Sequence, residues 1–308
     1  MNSLSPRSLN LDYDKRSLLY YVGRRVKWMM GDRSPIVAYL KITKRCNLDC
    51  YYCPWHTAPS NFTGEQDTAA WKERIDDLIA RGIRIFVFEG GEPTLRQDLA
   101  ELLTHTHQRG ANTILATNGT GSPWRFTPTA FTVSIDGPEQ LHDAVRGRGT
   151  YRHILKNLSE RNGQQVVSIT VITHDNRHAL EEMAEDIGSH VDAMLFTFVY
   201  PYRTVDTPVL TPAELRETKN EILRLKKRFA ILNPASHLRA ETGAKPCYDW
   251  LAVTVNHEGK LEEGCFVQHV EPKDCSRCEL GCFQVISSFH QFNVEAWFNL
   301  NRLLLRTI

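Results

Sequence analysis

Short apolar runs recur along the chain from residue 36, and polar or amphipathic stretches separate them. Nearly continuous apolar runs are typical of strands buried on both faces of a parallel sheet. The runs predict six strands at Ile36–Thr43, Ile83–Phe88, Asn112–Thr117, Ala130–Asp136, Val166–Thr173 and Ala193–Tyr200. The stretches between and after them predict helices near 67–81, 95–109, 150–161, 177–188 and 211–229, and a loop at 137–149. Because crossovers between parallel strands are right-handed, we expect an α/β fold that curls into a full or partial barrel.

The two ends of the chain depart from this alternation. Residues 15–30 read as an amphipathic helix with apolar positions at Leu18, Leu19, Val22, Val26 and Met29 and several arginines and lysines. Such a helix suits either a weak membrane-surface contact or packing against the main domain, and packing is the interpretation we favour. Beyond a loop-rich stretch at 231–246, Leu251–Val255 and Lys260–Glu263 predict a hairpin, and the apolar tail at 283–308 predicts a helix. The predicted domains are therefore an extension at 1–34, a barrel at 35–230 and a small domain at 231–308.

Composition narrows the class of protein. The chain has 308 residues, with 37 basic against 36 acidic side chains, so charge gives no indication of nucleic-acid binding. No apolar run approaches the roughly 20 residues needed to span a bilayer, and no signal peptide is evident at the N-terminus. Eight cysteines occur in clusters, which indicates metal binding in a reducing compartment. We therefore expect a cytoplasmic protein.

The first cysteine cluster is Cys46, Cys50 and Cys53, at the end of the first predicted strand. Thiolates this close can share one metal centre, and they favour zinc or an iron–sulfur cluster. Three thiolates leave one iron of a four-iron cluster without a protein ligand, so that a small molecule can bind there. A structural zinc site is the alternative, with His56 as its fourth ligand.

This run, with Tyr52 before its last cysteine, resembles the signature of the radical S-adenosylmethionine (SAM) enzymes. The segment Glu89-Gly90-Gly91-Glu92-Pro93, directly after the second predicted strand, resembles a second motif of that family. The resemblance implies a 4Fe–4S cluster whose open iron binds SAM, and a six-unit partial barrel, (β/α)6. Reduction of SAM by an electron donor such as flavodoxin or ferredoxin would then give a 5′-deoxyadenosyl radical.

The resemblance also implies a set of cofactor-binding residues. Gly90, Gly91 and Glu92 would face the methionine ammonium of SAM, and Tyr52 belongs to the cluster motif. Polar contacts to the rest of SAM would come from Asn118, Ser134, Asp136 and Arg146. Each of these last positions has a structural alternative, since Asn118-Gly119 and Asp136-Gly137-Pro138 are also turn sequences and Arg146 suits a surface position.

A second cysteine group lies in the C-terminal region. The predicted hairpin would bring Cys247 and Cys265 together, and Cys275 and Cys278 supply two more thiols. Four thiolates would close either a structural zinc site or a second iron–sulfur cluster. The arrangement resembles the auxiliary-cluster region of the twitch and SPASM subgroups, which implies a second 4Fe–4S cluster held by these four residues. Cys282 is then left over, as a hydrogen-atom donor, as an inert buried thiol, or as a ligand in place of another cysteine.

The predicted function is removal of a hydrogen atom from a substrate by a SAM-derived radical. Among its relatives an auxiliary cluster accompanies oxidation or radical quenching, so we expect an oxidoreductase or epimerase. The chain lacks a recognisable peptide-binding domain, which favours a small natural product such as an aminosugar or cyclitol. The alternatives are a maturase that crosslinks or epimerises a ribosomal peptide and an enzyme that modifies a lipid. A zinc-stabilised α/β binding module without catalysis is the alternative from a different class.

Overall fold

The computed structural model describes residues 15–55, 64–203, 207–244, 246–291 and 293–296. Within these residues the α-helices are α1 Lys15–Met29, α2 Thr68–Ala80, α3 Leu99–Gln108, α4 Glu139–Arg146, α5 Thr150–Ser159, α6 Leu180–Ile187, α7 Pro212–Leu225, α8 Ala235–Leu238 and α9 Gly281–His290. The strands are β1 Val37–Thr43, β2 Ile85–Gly90, β3 Asn112–Thr117, β4 Ala130–Ser134, β5 Val166–Ile172, β6 Ala193–Phe198, β7 Ala252–Val255 and β8 Leu261–Glu263.

The strands form one sheet in the order β6-β5-β4-β3-β2-β1-β7-β8. Neighbours from β6 to β7 are parallel, and only the last pair, β7 with β8, is antiparallel. The predicted α/β fold with a partial barrel is therefore confirmed. The predicted hairpin at 251–263 also forms, and it extends the same sheet by pairing Val37 of β1 with Ala252 of β7.

Alternation along β1 divides the interior into two layers, because successive side chains of a strand point to opposite faces. Ala38, Leu40 and Ile42 belong to the core formed with the helices outside the sheet, such as α2. Val37 and Tyr39 belong to a second core on the other face, which includes Phe283 of α9. The functional residues described below lie at this inner face.

Helix α9 covers the inner face of the sheet. A Cβ on Gly281 would overlap the carbonyl oxygen of Phe196, so glycine permits close contact with β6. Two residues further on, the ring of Phe283 packs against the ring of Tyr39 in β1, with 5.6 Å between centroids. Helix α9 therefore spans from β6 to β1 and encloses the space between them.

Helix α1 forms as predicted but packs through a different face from the one expected. Tyr21, Arg24 and Trp28 are buried, whereas Val22, Val26 and Met29 are exposed. Arg24 Nη2 donates to the carbonyl oxygen of Pro35 at 2.7 Å, which offsets part of the cost of burying the guanidinium. Aromatic rings bury more apolar surface than valine does, which explains this choice of face. No helix of the described residues is long and apolar enough to cross a membrane.

The loop predicted at 137–149 is wrong, because the structure has helix α4 at Glu139–Arg146. The side chains that α4 buries include His142 and Arg146, which are polar, together with Val145. A helix whose inner face is largely polar has no apolar periodicity, so the pattern gave no signal for it. The helix carries Arg146 to the site described next.

Candidate functional site

The first cysteine cluster lies on the loop that follows β1. Cys50 is buried, Cys53 half-buried and Cys46 exposed, and the backbone N–H of Cys53 donates to the carbonyl oxygen of Cys50 at 3.0 Å. Burial raises the pKa of Cys50 to about 11, with Asp136 and the thiols of Cys53 and Cys46 acting in the same direction and Arg146 opposing them. The three thiols therefore share one electrostatic environment, in which a cationic metal centre would stabilise the thiolates.

The described thiols do not form a site for a single ion. Within the parts of the chain that the structure describes, no three side chains of His, Cys, Asp or Glu are grouped to hold one metal ion. Ligands that bind one zinc at about 2.3 Å must lie close to one another. An iron–sulfur cluster, in contrast, binds each thiolate through a different iron. His56, the alternative zinc ligand, lies outside the described residues.

The glycine-rich segment after β2 is hydrogen-bonded to the end of β1 and the start of the cysteine loop. The backbone N–H groups of Gly91 and Glu92 donate to the carbonyl oxygens of Thr43 and Arg45, at 2.8 and 2.7 Å. A Cβ on Gly90 would overlap Thr43, and one on Gly91 would overlap Arg45. Both positions therefore require glycine for this close approach, whatever contact they also make with a cofactor.

Glu92 is buried and its carboxylate is fully engaged within the protein. Oε1 accepts hydrogen bonds from the Thr94 hydroxyl at 2.6 Å, the Thr94 backbone N–H at 3.2 Å and the Thr117 hydroxyl at 2.8 Å, while Oε2 accepts from the Asn118 backbone N–H at 2.7 Å. The Asn118 amide in turn donates to the side chain of Asn47 in the cysteine loop at 2.8 Å. Glu92 thus joins the ends of β2 and β3 and, through Asn118, the cysteine loop.

Tyr52, Asp136 and Arg146 meet in a buried triad beside Cys50. Asp136 accepts from the Tyr52 hydroxyl and from Arg146 Nε, each at 2.6 Å, and Arg146 also donates to the Tyr52 hydroxyl at 2.9 Å. Burial alone would raise the pKa of Asp136, but the charge of Arg146 outweighs it and lowers the pKa. The triad therefore holds an ionised carboxylate at the cysteine loop.

A cavity of about 350 Å³ lies at the inner face of the sheet. Its wall is mostly hydrocarbon and includes Val37, Val87, Ile114, Ile169, Leu195 and Ile286. Ser134 lines it from the end of β4, Cys53 lines it from the cysteine loop, and Cys282 lines it from α9. The structure thus brings Ser134, Cys53 and Cys282 to one cavity, whereas the carboxylates of Glu92 and Asp136 are held in hydrogen-bond networks of their own.

Three polar side chains at the inner face were missed by sequence reasoning: Tyr39, Lys41 and Glu89. Lys41 Nζ lies 2.6 Å from Glu89 Oε1, and Glu89 and Tyr39 both line the cavity. Tyr39 and Cys282 interact electrostatically, since each affects the pKa of the other, and both line the cavity. A period of two along β1, which puts Tyr39 and Lys41 on one face, and opposite charges in adjacent apolar strands were the available signals.

Four of the five cysteines in the second group share one pocket, and the fifth, Cys282, lies outside its lining. Cys247, Cys265, Cys275 and Cys278 line a common pocket next to the cavity, and Cys282 does not line that pocket. Burial raises the pKa of both Cys265 and Cys278 to about 12, and neighbouring thiols add to the effect at each. For Cys282, burial and then the carboxylate of Glu89 raise the pKa to about 12.

A family model for the Radical SAM superfamily matches residues 40–187, a span that contains the cysteine loop, the glycine-rich segment and the buried triad. The chain therefore contains a radical SAM domain. The matched residues run from within β1 to the end of α6, and the second cysteine group lies beyond them.

Curated relatives include radical SAM enzymes with several activities. The chain is 33% identical over 135 residues to Fe-coproporphyrin III synthase of Methanosarcina barkeri, covering 41% of this chain and 34% of that protein. It is 26% identical over 298 residues to AdoMet-dependent heme synthase of Nitratidesulfovibrio vulgaris, covering 83% of this chain and 78% of that protein. PqqA peptide cyclase of Xanthomonas oryzae pv. oryzae is 38% identical over 85 residues, covering 28% and 23%. The chain thus spans about a third of the length of the first of these relatives.

Among solved structures, Streptococcus suis SuiB bound to the precursor peptide SuiA has a TM-score of 0.64 at 14% identity, covering 97% of this chain and 74% of that chain. A likeness at this identity concerns the fold. Nearly the whole chain, including the C-terminal region, shares the fold of that protein.

Proposed function

We propose that this radical SAM chain removes a hydrogen atom from an apolar segment of its substrate inside the barrel, and that Cys282 returns one from the other side. The observation that carries the proposal is the cavity itself, because Cys53 and Cys282 line it together with a mostly hydrocarbon wall. The reaction would then be an epimerisation, or another change without net oxidation.

The residues at the cysteine loop fit a SAM-binding cluster. Cys46, Cys50 and Cys53 would hold a 4Fe–4S cluster with one open iron. When bound, that cluster and SAM together supply the abstraction of a hydrogen atom from the substrate. The Glu92 network keeps the glycine-rich segment and Asn118 against the cysteine loop, and the triad of Tyr52, Asp136 and Arg146 keeps the loop against β4 and α4.

The pocket of the second group fits an auxiliary cluster. Cys247, Cys265, Cys275 and Cys278 supply four soft thiolate ligands, as a closed 4Fe–4S site requires. We assign these four as ligands and leave Cys282 out, because Cys282 does not line the pocket that the four share. An electron donor of the flavodoxin or ferredoxin class would serve both clusters.

The return of hydrogen is assigned to the Cys282 thiol. The S–H bond breaks and a C–H bond forms at the substrate radical, which leaves a thiyl radical on Cys282. One electron from the flavodoxin- or ferredoxin-class donor and one proton from solvent then restore the thiol. Tyr39, which interacts with Cys282, would orient the sulfur, and burial, which raises the pKa of the thiol, keeps it protonated.

The cavity wall favours an apolar substrate segment over an aminosugar or a cyclitol. A polyol would bury several hydroxyl groups against hydrocarbon, and each hydroxyl without a partner costs roughly 1–3 kcal/mol. An aliphatic side chain of a peptide meets hydrocarbon on all sides instead. The similarity to PqqA peptide cyclase supports a peptide as the larger molecule.

A lipid is the second candidate, and α1 is the observation that favours it. Val22, Val26, Met29 and Met30 are exposed at helical spacing, with Met30 82% exposed. Residues 15–33 carry six basic side chains and one acidic side chain. An apolar stripe within a basic segment complements an anionic membrane surface, so we propose that α1 docks there.

The test of the main proposal uses anaerobically purified protein with SAM and a reductant. We expect about eight irons per chain, as two four-iron clusters require, and formation of 5′-deoxyadenosine. In D2O, a product epimerised through Cys282 takes up one deuterium from solvent, and Cys282→Ala abolishes that uptake but keeps the iron. Solvent deuterium in the Cys282→Ala product, or colourless protein with one zinc, would overturn the proposal.

A further inference from the structure

Lys41 and Glu89 form an ion pair at the cavity wall. The two residues are direct partners in the pairing of β1 with β2, and Nζ and Oε1 are 2.6 Å apart. The side chains are 6% and 19% exposed. The ammonium of Lys41 also lies 4.6 Å from the ring centroids of Trp55 and Phe266, so aromatic rings surround it.

Stability does not explain this pair. Removing two charges from water is costly, and a buried ion pair is on balance often no better than well-packed apolar residues. Glu89 Oε1 is buried with Lys41 as its partner, whereas the Glu89 side chain as a whole is 19% exposed and lines the cavity. A carboxylate that is partly exposed in a mostly apolar cavity is instead placed where it can recognise a ligand.

The charges of the pair determine which ligand fits. Glu89 lines the cavity, whereas Lys41 lies behind it and holds the carboxylate in place. A carboxylate only accepts hydrogen bonds, so it binds a hydroxyl, an amine or an amide N–H and repels another anion. A hydroxyl or an ammonium group therefore fits next to Glu89, whereas a second carboxylate does not.

We propose that Glu89, held by Lys41, anchors a hydrogen-bond donor carried on an otherwise apolar substrate. This inference rests on the proposed function for the use of the cavity, and it adds the polar group that the substrate must carry. Glu89, Tyr39 and Cys282 all line this cavity. The anchored donor therefore places the neighbouring carbon atoms next to the Cys282 thiol.

The test compares three probes that share one alkyl chain: 1-decanol, decylamine and decanoate. Binding to the anaerobically purified full chain is measured by titration calorimetry at pH 7.5. We expect decanol and decylamine to bind at least about tenfold more tightly than decanoate, as a charge-assisted hydrogen bond in a dry site implies. Decanoate that binds as tightly as decanol would overturn the proposal without any variant.

Two variants sharpen the result. Glu89→Gln leaves the Lys41 ammonium without its carboxylate, so we expect decanoate to become the preferred probe and decylamine to lose about tenfold in affinity. Glu101→Gln is the matched control, because Glu101 pairs with Lys72 at 2.5 Å on the outer helices and should leave the order of the probes unchanged. An unchanged order in Glu89→Gln contradicts the anchor.

The same preparations separate this proposal from the function on which it rests. Iron content and 5′-deoxyadenosine formation are measured alongside the titrations. Probe selectivity without deoxyadenosine would keep the anchor and reject the radical function. Deoxyadenosine without selectivity would do the reverse. If Glu89→Gln does not fold, as judged by its circular dichroism melting curve, the relative affinities of the three probes for the unaltered chain still test the anchor.

Discussion

The two cysteine regions of the molecule are built in opposite ways. Cys46, Cys50 and Cys53 come from one short loop, whose position is set by backbone hydrogen bonds to the glycine-rich segment. The four cysteines assigned to the second centre come from segments on both sides of the β7–β8 hairpin, and only the tertiary fold brings them to one pocket. A local loop with three ligands leaves room for a cofactor, whereas a site gathered from distant segments is suited to closing around its metal.

The largest expected effect distinguishes the two regions by function. Cys50→Ala should lose about four irons per chain and reduce SAM cleavage by at least about a hundredfold, because the open iron is lost with its cluster. Cys247→Ala should lose a similar amount of iron but retain SAM cleavage. Iron analysis and deoxyadenosine quantification after anaerobic reconstitution measure both. Equal loss of cleavage in the two variants would contradict the division of roles.

The buried triad gives the next largest effect. Arg146→Met leaves the Asp136 carboxylate buried without its cation, which should lower the free energy of unfolding by about 3–5 kcal/mol. Chemical denaturation followed by circular dichroism measures this loss. Tyr52→Phe, which removes one hydroxyl and keeps the ion pair, is the milder control, with a loss of about 1–2 kcal/mol.

The triad also predicts a pH dependence. The pKa of Asp136 is lowered in the folded protein, so the stabilisation is present above the unfolded pKa of about 3.9 and is lost as the pH falls through the folded value. Asp136→Asn should therefore flatten the loss of stability below about pH 4. An equally steep acid profile in Asp136→Asn would show that Asp136 is not the ionised group.

Gly91 tests how closely the first region depends on its backbone contacts. Gly91→Ala would force the new Cβ against the carbonyl oxygen of Arg45, so we expect a loss of about 1–3 kcal/mol and poorer iron loading at the first centre only. Gly23→Ala is the matched control, since nothing lies within 4 Å of a Cβ there. Normal iron loading in Gly91→Ala would show that the glycine-rich segment does not position the cysteines.

The smallest expected effect concerns the membrane. Exchanging Val22 and Val26 of α1 for aspartate should reduce binding to phosphatidylglycerol vesicles about tenfold in a flotation assay, without changing the melting temperature. Val294→Asp alters another exposed valine and should leave vesicle binding unchanged. Equal binding by all three proteins would remove α1 as the docking element.

Sequence patterns predicted those features that depend on neighbouring residues. The strands were predicted because continuous apolar runs reflect burial on both faces, and β3 matches its predicted range, Asn112–Thr117. The cysteine loop and the glycine-rich segment were found because the residues of each motif follow one another at a fixed spacing along the chain.

The features that depend on tertiary contacts were not predictable in the same way. Helix α4 was missed because its buried side chains include a histidine and an arginine whose partners lie in other elements. The buried face of α1 was misassigned because Arg24 is accommodated by a backbone carbonyl that no pattern reveals. The pair of Lys41 and Glu89 became evident only when the register of β1 and β2 was known.

The most direct test of the open iron is an electron paramagnetic resonance spectrum of the reduced protein, recorded with and without SAM. Cys265→Ala retains only the first centre, and its spectrum should change when SAM is added. Cys50→Ala retains only the second centre, and its spectrum should stay the same. If the spectrum of Cys265→Ala stays the same when SAM is added, the assignment of the first three cysteines as the cofactor-binding centre is contradicted.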